Sequence, residues 1–156
     1  MAINPNTDFT AGQVLTAAEQ NRFPRGIVAL TTSQTNSATI TTEAVTLTST
    51  SFTAVANRYY KVTYYEPMVQ PSVSLPSYMT FRIRLTNISG TVLQRADTEA
   101  TGADGMFVPL QIITTFAAGA TTVCGTAQAA SGSLVCYGNA GAGVSRQIIV
   151  EDIGPA

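Results

Sequence analysis

Residues 78–85 read YMTFRIRL. Met79, Phe81, Ile83 and Leu85 alternate with Thr80, Arg82 and Arg84, so an extended chain sends the apolar set to one face and the polar set to the other. A second stretch, NRYYKVTYY at 57–65, alternates as well. It sets Tyr60, Val62 and Tyr64 against Tyr59, Lys61, Thr63 and Tyr65. Both of its faces are bulky, which fits burial on both sides or an aromatic face used in contact. From Ile27 onward the period stays at two, through GIVALTT, ATITTEAVTL, TVLQRA, FVPLQIITTF, TTVCGTA, SLVCY and SRQIIVED. Turn signals separate these runs at 87–90, at Gly119, at 130–132 and in GNAGAG at 138–143. Many short strands without a second helix predict an antiparallel β-sandwich or barrel. Pro67, Pro71 and Pro76 are expected to break the segment 66–77, EPMVQPSVSLPS, into a long loop.

The start of the chain differs. Thr16 and Glu19 form a Thr-x-x-Glu capping box around Ala17 and Ala18, and Pro24 ends any helix by about Arg22. A helix of two turns or fewer is unstable alone in water. It must dock through Val14, Leu15, Ala18 and Phe23, either on its own β-domain or on another protein. The chain therefore divides into an arm, residues 1–26, and a β-sandwich, residues 27–156.

The 156 residues suffice for one domain with a core. Only 11% are charged and the net charge is −1, so no nucleic-acid or membrane partner is implied. A Thr-rich, weakly charged, β-prone surface suits a protein that packs against copies of itself or against other proteins. No signal-peptide pattern opens the chain and no run approaches the roughly 20 apolar residues of a membrane helix, so synthesis in the cytoplasm is expected. Cys124 and Cys136 have no zinc spacing. If their runs form a hairpin, the thiols face each other and a disulfide is open to them; cytoplasmic synthesis favours reduced thiols.

Chemistry is scarce. Without a single histidine, Ser-His-Asp and Cys-His arrangements are excluded. GNAGAG lacks the Lys-Ser/Thr of a phosphate loop and no helix pattern follows it. Asp97, Glu99 and Asp104 read as a solvated turn rather than a calcium loop. Glu151 and Asp152, adjacent in a strand, point to opposite faces and cannot work as an acid–base pair. No catalytic residue, cofactor or metal is expected. Arg82 and Arg84 share a face and either bind an anion or cover apolar surface. Tyr59, Tyr60, Tyr64, Tyr65 and Tyr78 fit a protein interface better than a sugar platform. Asn87-Ile88-Ser89 is a formal glycosylation sequon without a secretory route.

DFTAGQVLTAAEQNRFPRGIVA at 8–29 resembles the opening of small structural proteins of tailed bacteriophages. These carry a Phe-Thr-Ala-Gly-x-x-Leu-Thr-Ala-Ala-x-x-Asn pattern, then a Pro and a Gly. Here it falls on Phe9, Thr10, Ala11, Gly12, Leu15, Thr16, Ala17, Ala18, Asn21, Pro24 and Gly26. Val150–Gly154, Val-Glu-Asp-Ile-Gly, resembles their closing strand. RYYKVTYY and AAGATTV (117–123) are similar to strands of phage jelly rolls of tumour-necrosis-factor-like type. The resemblance implies a virion protein of minor-tail, head-fibre or capsid-decoration type: a homotrimeric jelly-roll knob made in the host cytoplasm. It implies an attachment arm gripping other virion proteins through Phe9, Val14, Leu15 and Phe23. Subunit contacts are expected among Tyr59, Tyr60, Tyr64 and Tyr65. The alternative partner is a host receptor or surface glycan.

Overall fold

The structure is a computed structural model that describes residues 12, 14, 16–72, 77–100 and 105–156. Phe9, Leu15, Val73, Leu75, Pro76 and Asp104 lie outside the described residues. Eight principal strands build two sheets. The first sheet holds β1 (Gly26–Ser33), β11 (Arg146–Pro155), β4 (Arg58–Pro71) and β7 (Met106–Thr115) in that order, all antiparallel. The second holds β2 (Ala44–Thr48), β9 (Val123–Ala129), β5 (Ser77–Leu85) and β6 (Val92–Ala100). Along the chain the eight strands fall to the sheets as first, second, first, second, second, first, second, first, the path of a jelly roll. Two short strands, β3 (Phe52–Ala54) and β8 (Gly119–Thr121), pair across one end. Another, β10 (Leu134–Cys136), extends the first sheet beside the last residues of β4.

The alternation in YMTFRIRL reads out as expected: Met79, Phe81 and Ile83 are fully buried. They face Tyr60, Val62, Tyr64, Ile148 and Val150, equally enclosed. Each such side chain contributes roughly 1.5–3 kcal/mol through its removal from water. At the β3–β8 end, Phe52, Tyr60 and Phe116 form an aromatic triangle with ring centroids 5.3–5.8 Å apart.

The proline-rich loop is shorter than expected. β4 runs on through Pro67 and ends at Pro71. Pro67 escapes the usual ban on central-strand proline because the ladder is interrupted there on both sides. The register against β7 shifts between Glu66 and Val69; on the other edge, β11 last pairs at Tyr65 and β10 first pairs at Val69.

Gly125 in β9 has a packing reason to be glycine. A Cβ built there would sit 2.4–2.6 Å from the ring of Tyr64. That ring has no room to yield: it is fully buried and its hydroxyl lies 2.5 Å from Thr46 Oγ1 and 2.8 Å from Glu66 Oε1. Gly→Ala in a strand ordinarily stabilises by reducing unfolded-state freedom. Here overpacking reverses the sign, and Gly125→Ala should cost about 1–3 kcal/mol in urea denaturation. An unchanged or raised midpoint would refute this account of the contact.

Candidate functional site

The outer faces of the two sheets differ in charge. Across the first sheet, cross-strand rows read Thr32–Gln147–Tyr65–Pro109, Leu30–Ile149–Thr63–Gln111 and Ile27–Glu151–Lys61–Ile113. Lys61 and Glu151 pair with each other, so these rows carry no net charge. Ile27 and Ile113 are 60% and 56% exposed, while Phe107, at 64%, stands beyond these rows where β7 begins. The second sheet instead presents Arg82, Arg84, Arg95, Asp97 and Glu99 with Glu43 beside them. Mixed charge suits water, whereas charge depletion with exposed aromatic and branched apolar side chains suits the core of a protein contact. The open edge of the first sheet is blunted. β7 pairs only with β4, and a proline in a strand is tolerated where its nitrogen points away from the ladder, so Pro109 leaves no donor on that edge.

Alternation along β4 separates the tyrosines. Tyr60 and Tyr64 point into the core, at 1% and 0% exposure, and are not available as subunit contacts. Tyr59 and Tyr65 lie half-buried on the outer face. Tyr78 stands exposed on the opposite sheet. The five therefore form no single platform.

The base of the N-terminal arm is clasped by its own domain. The helix α1 (Ala17–Gln20) starts with the expected capping box: Glu19 N–H donates to Thr16 Oγ1 at 3.2 Å and Thr16 N–H to Glu19 Oε2 at 2.7 Å. Beyond it, the buried Arg58 guanidinium donates to the carbonyls of Asn21 and Phe23, the latter at 2.6 Å. Its other side holds buried Asp152 bidentately at 2.6 and 2.7 Å. The grip is on backbone oxygen. Val14 remains 85% exposed and Phe23 39% exposed.

A second buried pair joins β4 to β11 within the first sheet and reaches across to the second sheet at Thr46. Arg146 holds Glu66 at 2.7 and 3.0 Å and donates to the Thr46 carbonyl at 3.1 Å, while Tyr64 donates to Glu66. Burial together with the Glu66 charge raises the Tyr64 hydroxyl well above its ordinary range. None of Arg58, Glu66, Arg146 and Asp152 stands out by motif. Their signal is phase: each shares the inward parity of its strand.

Other sequence-level candidates are absorbed locally. Arg84 forks onto Glu43 at 2.7 and 2.9 Å, Arg82 reaches it at 3.0 Å and Thr126 donates to it at 2.6 Å. Burial works to raise the Glu43 carboxyl, and these hydrogen bonds and charges outweigh it, leaving its pKa lowered. Asp97 receives Thr80 at 2.6 Å and pairs with Arg95. The hairpin expected to join the cysteines does not form. Cys124 lies in β9 of the second sheet and Cys136 in β10 beside β4, so both are free, buried thiols. Burial raises both thiol pKa values, so neither presents a ready thiolate. Among the described residues, no three His, Cys, Asp or Glu side chains gather as a metal site.

No protein-family model matches the chain, and no curated protein does. Among solved structures it is similar to a chain in the structure of infectious bursal disease virus Gx strain, at 14% identity and a TM-score of 0.42, covering 97% of this chain and 43% of that one. It is also similar to a chain in the structure of the Gt strain, at 15% identity and a TM-score of 0.34, covering 100% of this chain and 41% of that one. The chain thus spans about two fifths of the length of either. At such TM-scores these likenesses decide nothing about what the chain does.

Proposed function

We propose that this chain is a non-enzymatic structural subunit of the surface of a tailed-phage virion, either a capsid-decoration protein or a tail-fibre or tail-tip component. It forms a homotrimeric knob through the outer face of the first sheet, with Tyr59 and Tyr65 in the contact, and its N-terminal arm holds it on the particle. The observation that carries this reading is the charge-poor, apolar outer face beside a conventionally charged one. The resemblance of both chain ends to phage structural proteins supplies the setting. Three copies meeting heterologously about an axis would close such a face from water.

The arm boundary is best drawn before Thr16, because Arg58 makes residues 21–23 part of the folded unit. Deleting residues 1–15 should leave a particle of three times the truncated chain's own mass in light scattering and abolish incorporation into virions. A truncated chain found at full stoichiometry on virions would remove the anchor from the proposal; a monomeric mass for the full chain would remove the trimer.

A host-surface glycan is the partner in a second reading, favoured by a groove at the far end of the sandwich from the arm.

A further inference from the structure

A groove of about 860 Å³ opens where β4 ends and β7 begins, walled by Met68, Phe107, Tyr137 and Ala142. Arg58, at the arm, lies ten residues back along β4, roughly 30 Å away at the rise of a strand. A subunit held by its arm therefore presents this groove outward.

The lining has a defined chemistry. Asn36 Oδ1 accepts the Gly138 N–H and Asn139 Oδ1 accepts the Ala142 N–H, each at 3.2 Å. With the oxygens so engaged, each amide keeps its two N–H donors without a partner among the described residues. Phe107 offers a ring that is 64% exposed, and among the described residues no charged side chain lines the groove. The Asn139–Val144 bridge, bonded in both directions at 2.8 and 2.9 Å, fixes the turn that carries Asn139. Pre-organisation of this kind lowers the ordering cost of binding.

We propose that this groove binds a neutral saccharide, which names the ligand site of the second reading and rests on the arm placement above. A pyranose has a C–H face that packs on an aromatic ring and hydroxyl oxygens that accept from amide N–H groups. A lipid tail would cover the ring and leave both amides' donors unused, whereas sugar hydroxyls engage them. A phosphate or carboxylate ligand would find no cation. An uncharged groove and a neutral ligand with acceptor oxygens are complementary.

The test is an array of neutral hexose and N-acetylhexosamine oligosaccharides, with sialylated and sulfated glycans alongside, probed with the full-length protein. Two variants accompany it. Phe107→Ala removes the exposed ring; Ala142→Trp fills the groove from an exposed position that is not on the outer face of the first sheet. Binding to neutral glycans, weakened at least tenfold by each variant at unchanged mass and melting temperature, is the expected result. Absence of glycan binding, selection of the charged glycans, or full binding in either variant overturns the proposal. The chain lacking residues 1–15 should keep glycan binding while losing virion incorporation, so the two proposals fail separately.

Discussion

Glu66→Ala should destabilise the fold by about 3–5 kcal/mol, a large fraction of the roughly 5–15 kcal/mol that holds a domain together. Glu66 is 0% and Arg146 2% exposed. Removing the carboxylate leaves a guanidinium in the core with only the carbonyls of Thr35 and Thr46 to receive it, and strips Tyr64 of an acceptor. Arg146 has no route to neutrality, because a guanidinium keeps its proton even when it is buried. Taking out both charges should behave differently. Glu66→Leu combined with Arg146→Met removes both desolvation penalties at once and should recover most of the loss, because the pair's attraction only roughly repays its burial. Urea denaturation of Glu66→Leu, Arg146→Met and the double gives the cycle, with Glu66→Ala measured alongside. A loss under about 1 kcal/mol for Glu66→Ala, or a double variant as unstable as the sum of the singles, would refute the account.

The same network marks where the sequence stops being legible. Strict alternation in YMTFRIRL placed Met79, Phe81 and Ile83 inside without further information, because a period of two is a local property. In RYYKVTYYE that period also held Arg58 and Glu66 in phase with Tyr60, Val62 and Tyr64. In RQIIVED it held Arg146 and Asp152 in phase with Ile148 and Val150. Ionic side chains on an inward parity read as outward unless the partner strand is known, and the partner lies 80 or 94 residues away. The cysteines failed for a related reason. Neighbouring strands in sequence suggested a hairpin, but β9 and β10 go to different sheets, and sheet membership is not local. Pro67 misled because its tolerance depends on two ladders ending at the same point. The groove draws on residues 36, 67–68, 105–107 and 137–144, four separate stretches with no shared period.

Composition, by contrast, carries the expectation of a surface made for contact and leaves its position open. Both sets of side chains in NRYYKVTYY are bulky, and only the fold distinguishes the core set from the outer set. That distinction makes the contact testable with one atom-scale change. Ile113→Asp places a carboxylate in the row Ile27–Glu151–Lys61–Ile113, at a side chain 56% exposed in the single chain. In an isolated subunit such a surface change shifts stability by no more than about 0.5 kcal/mol. In a trimer closed through this face, three carboxylates lose water with no cation to receive them, since Lys61 already serves Glu151. The penalty is several kcal/mol for each unpaired charge, enough to dissociate the assembly. Light scattering should therefore fall from three times to one times the 16.3 kDa chain mass while the strand signal in circular dichroism is kept. Val92→Asp is the matched comparison: it is 41% exposed on the second sheet, where a carboxylate keeps its water in an assembly closed through the first sheet, and its mass should stay threefold. The reverse pattern, with Val92→Asp monomeric and Ile113→Asp intact, would transfer the subunit contact to the charged sheet. The contrast between the two faces would then no longer indicate how this protein assembles.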